Sequence, residues 1–201
     1  MRALVLALAL ATVLSACTED PVILARVSDH DNPGHPEGSR CVEADDCPAG
    51  SFCERDGCGD PAGSCRPFPI VCPDDSIPVC GCDGVTYFNE CLRRAAGASQ
   101  ANTGECEAGA ATCHSASDCP SGVSCALLVG IDPRECGSPS LTGHCWAVPT
   151  TCPEASKAGP DRWEPCLGPP MPGDMRPPPP CADTCTAIKA GLPHFRALRC
   201  P

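Results

Sequence analysis

The first apolar positions of the chain form one block, Ala3 to Leu14, behind a single basic residue, Arg2. That block is too short to cross a bilayer comfortably and it ends in small residues, so it reads as an export signal. Residues 18 to 40 carry no cysteine and no helical periodicity. After Val22-Ile23-Leu24 they turn to Asp, His, Pro, Gly and Ser, the composition of a flexible tether. The clearest alternation lies between Pro78 and Cys91. Pro78-Val79-Cys80 begins a strand, Cys82-Asp83-Gly84 turns, and Val85-Thr86-Tyr87 is a β-branched and aromatic return strand. Asn89 then predicts a helix cap, with the helix running to Ala96 and a left-handed stop at Gly97.

Units this small cannot build an adequate apolar core, and composition says what replaces it. The 201 residues include 21 cysteines. Without residues 1–16, and leaving Cys17 aside, 20 cysteines remain, about 11% of the chain, which marks a disulfide scaffold. Leu, Ile, Val and Phe make up under a fifth of the same residues, a content that without cysteines would suggest disorder. An exported, cysteine-dense chain is expected to be disulfide-built and to work outside the cytoplasm. The formal net charge is −11 and becomes about −12 once Arg2 leaves with the signal, which argues against nucleic acid and against a basic membrane-surface patch.

The cysteine spacing repeats. Cys41 and Cys113 each begin two gaps of five residues, to Cys53 and Cys125. Cys65–Cys72 and Cys145–Cys152 both enclose six residues, and Cys91–Cys106 and Cys185–Cys200 both enclose fourteen, with Ala96-Gly97 matched by Ala190-Gly191. The chain is therefore read as a tandem duplication. Residues 41–106 and 113–201 are the copies and 107–112 the linker, with ten cysteines in each copy. The second copy is degenerate. Between Cys166 and Cys185 it has no counterpart of DGVTYFNE and carries instead a Pro-rich insertion, 167–180, expected to be a stiff, exposed spacer. Trp146 and Trp163 are expected to cover disulfides.

Three family resemblances follow from these residues. Cys72, Cys80-Gly81, Asp83-Gly84, Thr86-Tyr87, Asn89, Cys91 and Cys106 resemble the Kazal family of serine-protease inhibitors. A cysteine-rich hairpin (41–65) leading into a Kazal-like unit (65–106) resembles a follistatin-like module. Leu14-Ser15-Ala16-Cys17 resembles the lipobox of bacterial lipoproteins. The last implies cleavage after residue 16, lipid on Cys17 and a tether over 17–40. The location implied is the cell envelope, at the outer membrane or cell surface, with the membrane as a partner through that lipid. An ordinary signal peptide is the other reading of the same block. The fold class expected is small and disulfide-rich: tandem modules, each a hairpin followed by a small antiparallel sheet and one short helix. The Kazal resemblance implies bridges Cys72–Cys91 and Cys80–Cys106. This chain departs from the family in lacking its next cysteine after Cys91 and in having an extra one at Cys82. The resemblance then implies Cys65–Cys82 in place of the bridge to the missing helix cysteine, while spacing alone leaves about fifteen connectivities of six cysteines open.

The same resemblance places the protease contact in the loop between Cys72 and Cys80. Pro73, Asp74, Asp75 and Ser76 form the reactive segment, Asp74–Asp75 is the scissile bond, and Asn89 with Tyr87 supports the loop. An aspartate there would be a buried, unpaired charge in an apolar or acidic pocket. The implied target is thus a serine protease selective for acidic residues. Counting along the second copy gives Glu154, on a loop six residues longer. A second reading stays open, that of a non-inhibitory binding or structural module. Enzyme activity, cofactors and metals are not expected. His30 and His35 beside Asp29 and Asp31 read as tether, the remaining histidines are scattered, and no nucleophile–base pattern or phosphate loop is present.

Overall fold

The computed structural model describes residues 37–138, 140–155, 157, 162–166 and 180–198. Cys17, nearly all of the 17–40 tether, including His30 and His35, and residues 167–179 of the Pro-rich insertion lie outside them. No helix among the described residues is long and apolar enough to cross a membrane.

In chain order the elements are β1 (Arg40–Cys41), β2 (Ser51–Glu54), β3 (Gly63–Pro67), β4 (Val79–Gly81), β5 (Thr86–Tyr87), α1 (Glu90–Ala95), β6 (Gln100–Thr103), β7 (Thr112–Cys113), β8 (Ser124–Ala126), β9 (Leu128–Val129), β10 (Gly143–Ala147), β11 (Arg162–Pro165), β12 (Ala182–Asp183), α2 (Thr184–Lys189) and β13 (His194–Arg196). All are short, as expected where disulfides replace a large core. Two cysteine-rich clusters with small sheets and short helices result, consistent with tandem cysteine-rich modules.

Each half opens the same way. Cys41–Cys53 and Cys113–Cys125 are bonded, each across twelve positions, and Cys47–Cys65 and Cys119–Cys145 follow. A 3-10 turn precedes the second cysteine of each, at Ala44–Asp46 and Ala116–Asp118. Gly63 and Gly143 both stand two residues before the next paired cysteine. A Cβ at Gly63 would lie 2.2 Å from the Glu54 carbonyl oxygen, and one at Gly143 would lie 2.4 Å from that of Ala126. Only glycine lets the two backbones of each hairpin approach so closely.

The expected Cys65–Cys82 bridge does not form. Cys65 is fully buried in β3, in register with Cys53 of β2, and its sulfur is bonded to Cys47. Main-chain bonds to Gly38 and Ser39 hold it inside the first hairpin. Cys82 is bonded instead to Cys58. Ser99 brings those two together: its carbonyl accepts the Cys82 N–H at 2.8 Å, while its hydroxyl accepts the Arg55 N–H at 2.9 Å, just before the turn that carries Cys58. The first hairpin is thus stapled to the next unit, and Cys65 belongs to the hairpin.

Pairing between the halves goes beyond the antiparallel sheets expected. The largest sheet runs β6-β4-β5-β10-β7, with β8 also on β10. β5 meets β10 of the second half in parallel, Thr86 opposite Trp146 and Tyr87 opposite Ala147. A third sheet, β12-β11-β13-β9, contains a second parallel pair, β9 with β13. Parallel neighbours need long connections, and the second half supplies them. The cores follow the sheets: Val79, Val85 and Tyr87 pack with Cys113, Cys125, Leu127 and Cys145, while Phe88 packs with Ala126, Trp146, Cys185 and Ile188. Residues 107–112 are drawn along this join. Ala111 donates its N–H to the Gly84 carbonyl, and its own carbonyl accepts from Cys145, both at 2.8 Å.

Candidate functional site

The segment Cys72–Cys80 is held at both ends. Cys72 is bonded to Cys91 on α1, and Cys80, on β4, is bonded to Cys106 beyond β6. Between these anchors Pro73, Asp74 and Ile77 are exposed and Asp75 and Ser76 half-buried. The Ile77 N–H donates to the Phe88 carbonyl at 3.0 Å, after which Val79 enters the sheet opposite Tyr87. Two bridges and one sheet edge therefore leave little freedom to the residues between them.

Asn89 serves two structures at once. Its Oδ1 accepts the Leu92 N–H at 2.9 Å and caps α1. Its Nδ2 donates to the Pro73 carbonyl at 3.0 Å and to the Asp75 carbonyl at 3.2 Å. These carbonyls flank the Asp74–Asp75 peptide bond. Asn89 is only 4% exposed, so the contacts are shielded from water. The helix stops where expected, with Gly97 at a φ of 70°.

The Tyr87 hydroxyl makes no hydrogen bond to residues 73–76. It donates to Asp83 Oδ2 at 2.7 Å, and Asp83 Oδ1 accepts the Val85 N–H, closing the turn. Burial, reinforced by the bond to the Asp83 carboxylate, pushes the phenol well above its ordinary value. Its support of the loop is indirect, through the strand pairing with Val79. Arg93 carries no sequence-level expectation yet is fully buried beneath α1. It pairs with Glu54 of the first hairpin and Glu90 of its own helix and donates to the Ala98 carbonyl. Burial pulls its charge down, but the bonds and charges of Glu90 and Glu54 outweigh this and raise its pKa. The Glu90–Arg93 spacing of three was the legible signal.

In the second half, Cys152 is bonded to Cys185 on α2, and Cys136 to Cys166. The α2 cap is Asp183, whose Oδ1 accepts the Thr186 N–H and whose Oδ2 accepts the Thr186 hydroxyl. Trp146 and Trp163 are buried. Trp146 packs against Cys185, and Trp163 Nε1 donates to Thr184 Oγ1 at 3.0 Å. Two sulfur triads, Cys41/Cys47/Cys65 and Cys113/Cys119/Cys145, lie within 4.8 Å, but every one of these sulfurs is in a disulfide. The same holds for Cys80, Cys82, Cys181 and Cys185.

Residues 69–117 match the family described as the Kazal-type serine protease inhibitor domain. A Kazal-type domain is therefore present. With the disulfide-rich architecture it defines a protease-inhibitor-like module, and domains of this type are non-catalytic inhibitors, consistent with a non-enzyme. The match begins past Cys65 and runs through β7, across the join between the halves. No curated protein matches the chain.

Proposed function

We propose that the protein is a serine-protease inhibitor acting through the Cys72–Cys80 loop, with Asp74–Asp75 as the scissile bond. The observation that carries this reading is the pair of bonds from Asn89 Nδ2 to the carbonyls of Pro73 and Asp75. They restrain the backbone on both sides of one peptide bond, so little entropy is lost on docking. If that bond is cut, the new amine stays beside the acyl group and can re-form it. Asp74 directs the loop to an enzyme with a basic pocket. The second half is a follistatin-like copy that has lost this device. The chain is displayed as a lipoprotein, exported by residues 1–16 and anchored in the cell envelope by lipid on Cys17. Neither cofactor nor nucleic acid takes part.

The test uses the full, oxidised chain, with Cys17→Ala to keep it soluble, because the Kazal-type domain shares its core with the second half. The panel is an acid-selective serine endopeptidase, subtilisin, elastase, chymotrypsin and trypsin. Inhibition is expected for the acid-selective enzyme. Asp74→Leu should move selectivity toward apolar pockets by at least about a hundredfold, since a buried unpaired carboxylate costs several kcal/mol. If the correctly bridged protein inhibits none of them, the remaining reading is a non-inhibitory binding module.

A further inference from the structure

The loop that carries Asp74 already has an occupant. Lys157, which lies between Cys152 and Cys166, donates from Nζ to Asp74 Oδ1 at 3.0 Å and Oδ2 at 3.2 Å. Its main-chain carbonyl accepts the Ser76 N–H at 2.8 Å. Its own N–H is bonded to the Glu154 carbonyl, so a turn presents both groups together. The position with the acidic residue of the second half is thus spent in holding a lysine against the acidic residue of the first.

Which side of the loop Lys157 takes follows from the peptide plane. The carbonyl of Asp75 and the N–H of Ser76 belong to one trans peptide, and there the two point in opposite directions. The carbonyl faces Asn89, a buried helix cap. The N–H therefore faces away from the body of the domain, and Lys157 meets it there. Asn89 and Lys157 grip one peptide unit from its inner and outer edges. The outer edge is where a partner would add main-chain bonds.

We propose that Lys157 is the built-in occupant of the loop's partner-binding edge. A partner must displace it by bringing the same two groups, a cation for Asp74 and a main-chain oxygen for Ser76. This rests on the inhibitor reading, and it specifies the protease as one whose basic pocket adjoins an extended backbone edge. The cap is built to yield. Both side chains are about half exposed, at 53% and 51%, and such ion pairs are weak and screened by salt. Ile70, Val71 and Ile77, flanking Asp74 along the chain, are 99%, 82% and 63% exposed, so apolar area remains for a protease to cover that the cap does not.

Two measurements on the full oxidised chain and its Lys157→Ala variant test the proposal. The first is hydrogen exchange of the Ser76 amide by NMR with no partner present. Exchange is expected to rise about threefold to fivefold in the variant, and similarly in the parent at high salt. The Cys106 amide, bonded to Thr86 Oγ1, should not change. Equal Ser76 exchange in both proteins at all salt concentrations overturns the cap, whatever inhibition shows. The second is the association rate with an acid-selective serine endopeptidase. The variant is expected to associate faster by a similar factor, and an equal or slower rate overturns the competition. If neither protein inhibits, the inhibitor reading fails on its own, and Ser76 exchange still decides whether Lys157 holds the edge.

Discussion

The two halves cap their short helices with residues that differ in one group. Asn89 and Asp183 each stand one position before a six-residue helix, and each accepts a backbone N–H from three residues on. Asn89 has a second group, an NH2, which donates to two carbonyls of the loop. Asp183 offers a second oxygen instead, which is taken by the Thr186 hydroxyl. A carboxylate cannot donate to a carbonyl, so Asp183 caps α2 as Asn89 caps α1 but cannot brace the carbonyls of a loop. The loops agree with the caps: seven residues lie between Cys72 and Cys80, thirteen between Cys152 and Cys166. A helix cap and a loop brace are separable properties, and among the described residues only the first half joins them in one side chain.

The bridges that tie each loop to its helix should separate the halves most strongly. Cys72–Cys91 spans nineteen positions and Cys152–Cys185 thirty-three, and removal of either is expected to lower stability by about 2–4 kcal/mol. Inhibition should respond differently. The Cys72→Ser, Cys91→Ser pair is expected to lose it, since one end of the Asp74 loop is freed. The Cys152→Ser, Cys185→Ser pair should keep most of it at temperatures where both proteins are folded. Urea melts beside inhibition assays check this. Equal loss in both pairs would mean that the second loop contributes as much as the first.

A smaller and sharper change is Asn89→Asp, which gives the first half the cap of the second. The capping oxygen is retained, but the added carboxylate is buried against the Pro73 and Asp75 carbonyls, so a loss of stability larger than that of Asn89→Ala, which removes the cap at about 1 kcal/mol, is expected. The two donated bonds vanish. At about 1 kcal/mol each, inhibition should weaken roughly tenfold to a hundredfold. Inhibition that falls at temperatures where both the parent and the variant are folded would show that Asn89 acts on the loop. Unchanged inhibition would reduce it to a helix cap.

What could be read before folding was local. The turn at Asp83-Gly84, the cap at Asn89 and the stop at Gly97 each depend on residues within a few positions, and each has one side chain or one φ to satisfy. The Cys72–Cys91 and Cys80–Cys106 pairs came from a family resemblance, not from spacing. Contacts between the halves were not legible. Nothing in Thr86-Tyr87 announces a parallel partner at Trp146-Ala147, and nothing near Lys157 points to Asp74, 83 positions away. The Cys58–Cys82 bridge is of the same kind: it forms where Ser99 bonds to two turns distant in sequence.

The smallest expected difference lies in the 3-10 turns, where the halves agree. Asp46 Oδ2 accepts the N–H groups of Val42 and Glu43, and Asp118 Oδ2 those of His114 and Ser115 at 2.8 and 3.0 Å. The N–H groups of His114 and Ser115 hold the Asp118 carboxyl below its ordinary value of 3.8. The sign follows from linkage. A depressed folded-state value means that the contribution to stability is present above the ordinary value and is lost as pH falls through the folded one. The His114 and Ser115 amide shifts should therefore titrate with a midpoint below 3.8, with the turn opening as they move. Asp118→Asn should remove that titration and leave the Cys113–Cys125 bridge intact. A midpoint at or above 3.8 would mean that the two N–H groups do not favour the charged form, and that the likeness between the turns is one of shape alone.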